Sequence, residues 1–312
     1  MTINSSISIG GMISWFFQCK LWMGEIFLHV NRIYEWILNN PSEKSFTEPQ
    51  PETNWLGKGS VSAQNISYRY KPELPLVLKN ISFDVKENQK IGIVGRTGSG
   101  KSTMTLGMLR ILEICQNEDE SQGQLIMDKT DVSEIGLHHL RHSVAMIPQD
   151  PLLFSGTLKS NIDPFGKHSD EEIANSLKKA HIWDDIKEES SEEDPLRRKL
   201  YSKIDEEGSN YSLGQRQLIC LARALIRNPK VLLMDEATAS IDLKTDKLIQ
   251  EMIHKEFRNA TVITIAHRLN TIINYDKILV LDKGRIQEFD SPLKLVENEE
   301  SFLGKSIRKV GE

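Results

Sequence analysis

The sequence has few of the features of disulfide-rich or nucleic-acid-binding proteins. Of its 312 residues only three are cysteines, Cys19, Cys115 and Cys220. They lie far apart and form no C-x-x-C pair, which argues against a disulfide framework or zinc site and favours a reducing, cytosolic compartment. The net charge is −5, so no general basic field could hold a phosphate backbone, and no nucleic acid is expected as a partner.

The sequence also has no long apolar run. Residues 3–17 are mostly apolar but include Asn4, Gly10 and Gly11, and Lys20 ends the run short of the roughly 20 residues that cross a bilayer. This stretch is at most part of a membrane segment, and a complete transporter is excluded. Because no basic start precedes the run and no A-x-A site follows it, a secretory signal peptide is not expected.

The amino-terminal part reads as a helix followed by a linker. Ile26, Val30, Ile33 and Ile37 recur at helical spacing, which predicts an amphipathic helix over 21–38. Prolines then interrupt a polar stretch, which is typical of a linker. We therefore expect three parts, a helical stub, a linker and a globular domain, over 1–39, 40–56 and 57–312.

From residue 57 onward, strand-like and helix-like segments alternate, which predicts the α/β class with a mixed or parallel core sheet. Strands are predicted over 61–70, 76–85, 90–95, 123–128, 231–235 and 261–266, with a hairpin over 278–289. Helices are predicted over 101–114, 170–180 and 213–227. The charged stretch 187–199 reads as a solvated loop. No internal repeat is evident.

A glycine-rich motif joins the apolar strand 90–95 to the helix that follows. It fits the phosphate-binding pattern G-x-x-x-x-G-K-[ST]. Its glycines let backbone N–H groups face phosphate oxygens, Lys101 reaches the β and γ phosphates of a nucleotide, and the Ser102 hydroxyl binds Mg²⁺. The predicted nucleotide-binding residues here are Gly95, Arg96, Thr97, Gly98, Ser99, Gly100, Lys101, Ser102 and Thr103.

A second motif ends the apolar strand 231–235 with two acids, Asp235 and Glu236. At the carboxyl end of a strand beside a phosphate loop, both acids can serve the nucleotide. Asp235 is predicted to hold Mg²⁺ and Glu236 to polarise the water that attacks the γ phosphate. The alternative is that both acids merely cap the next helix.

A third motif points to a family. Ser212, Gly214 and Gln215 open a helix, where they could present a second anion site at its amino end. Together with the two nucleotide motifs, this segment resembles the L-S-G-G-Q signature of ATP-binding cassette (ABC) proteins. Tyr211 and Leu213 depart from that pattern at the leading Leu and the first Gly.

The resemblance implies roles for further residues that follow in the family's order. Gln149 looks like the Q-loop glutamine, which contacts Mg²⁺ and water and senses the transmembrane partner. His267 looks like the switch histidine that contacts the γ phosphate, and Tyr70 like the aromatic residue on which adenine stacks. Ser240 to Asp242 resembles the D-loop. The implied catalytic residues are Glu236, His267, Gln149 and Lys101, and the implied metal ligands are Ser102, Gln149 and Asp235.

The sequence between the motifs looks like the second cassette of subfamily C, the multidrug-resistance-associated transporters. This resemblance covers about residues 57–305. Residues 30–35 also resemble the point where that family's last transmembrane helix enters the cytosolic domain. The chain therefore looks like the tail of such a transporter. The resemblance implies an antiparallel β subdomain and a helical subdomain around the core sheet.

The resemblance further implies ATP and Mg²⁺ as ligands and a composite site, in which the signature of one cassette completes the site of another. The expected partners are a second cassette, in a homodimer or another chain, and a transmembrane domain. The expected function is ATP hydrolysis that powers export of an unknown substrate from the cytoplasmic face of a membrane. A non-transport regulator of a membrane partner, a soluble ABC protein and a truncated ATP-binding product remain alternatives.

Overall fold

The computed structural model describes residues 2–40, 43, 47–52, 54–117, 121–188, 193–235, 243–266, 272–298, 301–302 and 304. The chain divides into two compact units, residues 1–45 and 46–312. The first unit is described by itself in the next paragraph, and every other element belongs to the second.

The first unit is one long helix, α1 (Thr2–Asn39), which includes the helix predicted over 21–38. Its large apolar side chains are exposed in several directions, since Leu21, Trp22 and Met23 are consecutive and each is more than half exposed. They therefore extend beyond the single predicted stripe of Ile26, Val30, Ile33 and Ile37. Among the described residues, no helix combines the length and the apolar content that a membrane crossing requires.

The second unit contains twelve described strands. They are β1 (Val61–Tyr68), β2 (Leu78–Val85), β3 (Lys90–Gly95), β4 (Gln124–Met127), β5 (Thr130–Asp131), β6 (Val144–Ile147), β7 (Gly156–Thr157), β8 (Lys203–Ile204), β9 (Val231–Asp235), β10 (Thr261–Ile265), β11 (Lys277–Asp282) and β12 (Arg285–Asp290). The predicted strands are all present, with ends that differ by at most two residues.

Eight described helices accompany these strands. They are α2 (Lys101–Met108), α3 (Leu137–Ser143), α4 (Leu158–Ile162), α5 (Asp170–Lys179), α6 (Pro195–Leu200), α7 (Leu213–Arg227), α8 (Leu243–Glu256) and α9 (Pro292–Glu297). Single 3₁₀ turns occur at Val132–Glu134, Trp183–Asp185 and Glu206–Gly208.

The core is a six-stranded mixed sheet in the order β12-β11-β3-β10-β9-β6. The strands from β11 to β6 are parallel, and β12 joins as an antiparallel edge. Strands β3, β9 and β10 are almost wholly buried, which explains their unbroken apolar sequences, because helices or other layers cover both faces of a parallel sheet. The predicted α/β class and its mixed core are confirmed.

Two further layers complete the unit. A four-stranded antiparallel sheet has the order β2-β1-β4-β5, and it shares an apolar core with one face of the main sheet and α2. A second apolar core lies between the main sheet and the helices α4, α5, α7 and α8. These are the expected antiparallel and helical parts.

The prediction of a helix over 101–114 is wrong about where the helix ends, because α2 stops at Met108. Arg110 has a left-handed backbone with φ of 49°, which a helix does not tolerate. Its buried guanidinium donates to the carbonyls of Val132 and Ile135, at 2.8 and 2.7 Å. Tertiary hydrogen bonds thus end the helix where the local sequence would continue it.

The loop predicted over 187–199 is also wrong in part, because α6 begins at Pro195. Asp194 caps this helix by accepting the Leu196 N–H at 3.0 Å, and Pro195 occupies the first helical position, where its missing N–H costs nothing. The density of charge led to the loop prediction. The capping pair Asp194 and Pro195 was the overlooked signal.

Candidate nucleotide site

The phosphate-loop motif lies between β3 and α2, as predicted. Gly98 and Gly100 have φ of +79° and +104°, values that glycine adopts without strain. A side-chain atom at Gly95 would approach the Leu281 carbonyl oxygen to 2.2 Å. The loop therefore needs glycine at Gly95 for space and at the other two positions for conformation.

Lys101 is held inside the curve of this loop. Its side chain is buried, with 6% of the residue exposed, and its Nζ donates to the carbonyls of Gly95 and Arg96 at 2.9 and 3.2 Å. The Arg96 carbonyl also accepts the Ser99 N–H at 3.1 Å. The ammonium is thus positioned by the backbone of the loop that it is predicted to serve.

The start of α2 is available to an anion. Its N-cap is Gly100, and within the part of the chain that the structure describes no side chain caps the helix and no acid lies in its first turn. The first N–H groups of a helix have no partner within the helix, and its amino end carries partial positive charge. This arrangement is suited to phosphate oxygens.

The turn between β11 and β12 supports the loop from behind. The N–H of Gly284 donates to the Ser99 carbonyl at 3.1 Å, and the Gly284 carbonyl accepts the Lys79 N–H at 2.8 Å. Gly284 has φ of +77°, and a Cβ there would meet the Val77 carbonyl oxygen at 2.0 Å. The sequence predicted a hairpin over 278–289 but not this role of its turn, because the contact joins residues far apart in the chain.

Tyr70 lies beside the loop. Its ring is half exposed, and its hydroxyl is hydrogen-bonded to the Thr103 hydroxyl, with 3.1 Å between the oxygens. This bond brings the predicted adenine-stacking residue to the first turn of α2. Ser102, the predicted hydroxyl ligand of the metal, is exposed in the same turn.

Asp235 and Gln149 lie at the same edge of the core sheet as the phosphate loop. Asp235 ends β9, is 8% exposed, and is in register with Ile265 of β10, which pairs with Ile93 of β3. Gln149 follows β6, the next parallel strand, and is exposed. Glu236 and His267, and with them Ser240 to Asp242, lie outside the described residues.

The donors at this edge suit a magnesium ion. Ser102 supplies a hydroxyl, Asp235 a carboxylate and Gln149 an amide oxygen, and Mg²⁺ prefers hard oxygen ligands, often with one or two carboxylates and substrate phosphates. Among the described residues, no group of three or more His, Cys, Asp or Glu side chains could hold a metal by itself.

The signature residues begin α7. The Ser212 hydroxyl caps the helix by accepting the Gln215 N–H at 3.2 Å, and Gln215 Oε1 accepts the Ser212 N–H at 3.0 Å. This reciprocal pair is a capping box. Gly214, in the first turn between them, is partly buried. Ser212 is exposed, so its hydroxyl proton can be offered outward.

The segment that carries Gln149 is held by two residues that the sequence analysis did not assign to the site. Asn161 accepts the Phe154 N–H and donates to the Phe154 carbonyl, both at 2.8 Å. Arg223 of α7 donates to the Leu152 carbonyl at 2.7 Å and to the Asn161 carbonyl at 2.6 Å. Helical spacing predicts that Arg223 lies on a helix. It does not predict that Arg223 holds the segment after Gln149, because that role depends on residues far away in the sequence.

These features define an α/β nucleotide-binding domain with a phosphate loop and a separate capped signature helix. The sequence profile of the ABC transporter family matches residues 78–239. The chain belongs to the ABC transporter family, and this domain is its ATP-binding domain, an ATPase of the ABC type.

The chain is similar to curated transporter proteins, among them members of sub-family C. Bile pigment transporter 1 of Saccharomyces cerevisiae is 41% identical over 322 residues, covering 100% of this chain and 20% of its own length. ATP-binding cassette sub-family C member 2 of Rattus norvegicus is 45% identical, covering 96% of this chain and 19% of its own. The chain therefore spans about a fifth of the length of these relatives.

A solved structure shows the same architecture. The structure of a bacterial Atm1-family ABC exporter with ATP bound superposes with a TM-score of 0.78 at 28% identity, covering 91% of this chain and 47% of that chain.

Proposed function

We propose that the chain is one half of a paired ATPase that drives export across a membrane. The observation that carries the pairing is that the two candidate anion-binding elements begin different helices and are capped differently. The phosphate loop leaves the start of α2 uncapped by any described side chain, whereas Ser212 already caps α7. In this proposal the start of α2 binds phosphate of its own nucleotide, and the start of α7 contacts the nucleotide of a facing cassette.

In this proposal the phosphate loop binds ATP. The N–H groups of residues 95–103 surround the α and β phosphates, Lys101 contacts the β and γ phosphates, and Tyr70 stacks on adenine. Support comes from the burial of Lys101 and from the Tyr70 hydrogen bond to Thr103. Both contacts are made within the chain itself, and they fix the two side chains at the loop.

Ser102, Asp235 and Gln149 would hold Mg²⁺ in this proposal. The ion, when bound, neutralises charge that develops on the β and γ phosphate oxygens. Glu236 takes the proton of the attacking water, and His267 orients the γ phosphate. The support for the metal ligands is their common position at the carboxyl ends of β9, β6 and the loop after β3.

The signature residues Ser212, Gly214 and Gln215 complete the site of a facing cassette in this proposal. The capping box leaves the Ser212 side chain exposed and fixes it against the helix start. A fixed hydroxyl and adjacent N–H groups at a positive helix end are suited to the γ phosphate. The partner is a second cassette, from a second copy of this chain or from another chain.

A groove beside Gln149 suits a transmembrane partner. A cavity of about 210 Å³ is lined by Met146 and Pro148 on one side and by α7 residues such as Cys220 and Arg223 on the other. At its rim Leu152 and Phe154 are 57% and 72% exposed. We assign this groove to an apolar helix end of the transmembrane domain, because binding there would bear directly on the segment that carries Gln149.

Export and a position on the cytoplasmic face of a membrane are supported by the relatives. Two of them are named as a transporter and as a member of sub-family C, and the similar solved structure is an exporter. These names favour transport over the non-transport alternatives. The substrate is not specified by any residue of this chain.

The direct test of nucleotide binding is Lys101→Ala. Removing a buried charged donor should weaken MgATP binding by about tenfold or more, the scale of a hydrogen bond to a charged group. Isothermal titration calorimetry measures the dissociation constant. Lys58→Ala is the control, because the Lys58 side chain is 75% exposed. An unchanged dissociation constant for Lys101→Ala would count against this assignment of the loop.

A further inference from the structure

A small apolar cluster lies directly behind the phosphate loop. It contains Val94, the residue before Gly95, together with Ala266, which follows β10. Val280 of β11 and Leu295 of α9 complete its centre, and Phe302 packs against it while partly buried. The segment that contains α9 therefore shares a core with the strands that lead into the nucleotide site.

Phe302 is fixed by hydrogen bonds on both sides of its position. Its N–H donates to Glu288 Oε1 of β12 at 2.6 Å. The preceding residue, Ser301, is buried, and its hydroxyl donates to the Leu295 carbonyl and accepts the Gly304 N–H. The segment that contains Phe302 is thus tied to β12 through Phe302 itself and to α9 through Ser301.

The ring of Phe302 contacts the phosphate loop itself. The Arg96 guanidinium carbon lies 5.9 Å from the ring centroid, within the range of a cation–π interaction. Arg96 is otherwise exposed. Its carbonyl accepts hydrogen bonds from Lys101 Nζ at 3.2 Å and from the Ser99 N–H at 3.1 Å.

We propose that Phe302 is a positioning residue of the nucleotide site, which holds Arg96 and thereby the curve of the loop in which Lys101 is seated. The inference rests on the proposed nucleotide binding by this loop. A purely structural role for Phe302 would need only its apolar volume. The role inferred here needs its aromatic face, and the two are separable by substitution.

The test measures the dissociation constant for MgADP, which is not hydrolysed, by titration calorimetry on the full chain. Phe302→Leu keeps the apolar contact and removes the ring, and should raise the dissociation constant about two- to fivefold, the scale of an exposed cation–π contact. Phe302→Tyr keeps the ring and should bind as the unaltered chain does. Leu293→Ala is the matched control, since Leu293 lies on α9 and is 77% exposed.

A double-mutant cycle identifies the partner of the ring. In an Arg96→Ala background, Phe302→Leu should have no further effect on the dissociation constant. A full effect in that background, or no effect of Phe302→Leu in the unaltered chain, would overturn the inference. Lys101→Ala in the same assay separates the two proposals: if it also leaves binding unchanged, the assignment of the loop fails, and this inference with it.

Discussion

Two helices of this domain begin at candidate anion sites, and they begin differently. Helix α2 starts after Gly100, in a left-handed conformation and without a side-chain cap among the described residues. Helix α7 starts at Ser212 with a complete capping box. The first start leaves its N–H groups open to an anion, whereas the second is capped by side chains of its own chain.

In the proposed function, this difference fits a cassette that folds by itself and is completed by a second cassette. A capped signature helix folds without nucleotide and keeps its serine in a defined position. The first N–H groups of α2 have no side-chain cap among the described residues, so they are open to the oxygens of a bound phosphate. In the proposed function, the loop of one cassette binds nucleotide and the signature of a second cassette completes that site.

The largest effect is expected from a substitution that removes the proposed general base and leaves both helix starts unchanged. Glu236→Gln should retain MgATP binding and lose about 10²-fold or more of hydrolysis, the usual scale for a general base. Phosphate release measures turnover, and calorimetry measures binding. Near-normal turnover would show that another group activates the water.

The next prediction removes the side-chain cap of α7 and so tests the difference between the two helix starts. Ser212→Ala should cost about 1 kcal/mol of unfolding free energy, as the loss of an N-cap does. If the hydroxyl also serves the γ phosphate, hydrolysis should fall about tenfold or more, the scale of a hydrogen bond to a charged group. Urea unfolding and ATPase assays measure the two effects.

Ser169→Ala is the matched control for Ser212. The Ser169 hydroxyl caps α5 by accepting the Glu172 N–H at 3.2 Å, and Glu172 Oε2 accepts the Ser169 N–H at 2.8 Å. Helix α5 therefore begins with the same kind of capping box. This variant should lose similar stability and keep its ATPase rate. Equal losses of ATPase rate in both variants would reduce Ser212 to a structural cap.

The smallest expected effect concerns the ion pair between Lys159 of α4 and Asp170 of α5. The Lys159 ammonium, 2.6 Å from Asp170, lowers the pKa of that carboxyl below its ordinary value. The stabilisation is therefore present above the unfolded-state pKa of about 3.9 and is lost as pH falls through the lower folded-state pKa.

Asp170→Asn should cost up to about 1 kcal/mol near neutral pH, as partly exposed ion pairs do. Urea unfolding at several pH values measures this cost. The difference from the unaltered chain should shrink as pH falls below 4. A difference that stays constant with pH would mean that the pair does not stabilise the fold.

Much of the fold could be predicted from the sequence, because local signals agree with tertiary structure there. The strand 90–95 is indicated by a short apolar, β-branched run, the loop after it by its glycine motif, and the helix 213–227 by its helical spacing. The capping pair Ser212 and Gln215 is likewise visible as a spacing of three residues. Local geometry determines all of these.

The failures have a common physical cause, which is dependence on distant partners. Helix α2 stops at Met108, and Arg110 just beyond it donates to carbonyls more than twenty residues away. The support of Ser99 by Gly284 and the contact of Phe302 with Arg96 join residues that no local pattern connects. Such contacts depend on the fold as a whole. The roles of Glu236 and His267 stay predictions.

The central claim is that one cassette holds nucleotide but hydrolyses it only when a second cassette supplies its signature. The most direct measurement is the ATPase rate per chain against protein concentration, with the mass in solution measured in parallel and Glu236→Gln as the control. The account predicts negligible turnover wherever the chain is monomeric, with any turnover appearing as pairs form. A constant rate per chain in the monomeric range, abolished by Glu236→Gln, would contradict it.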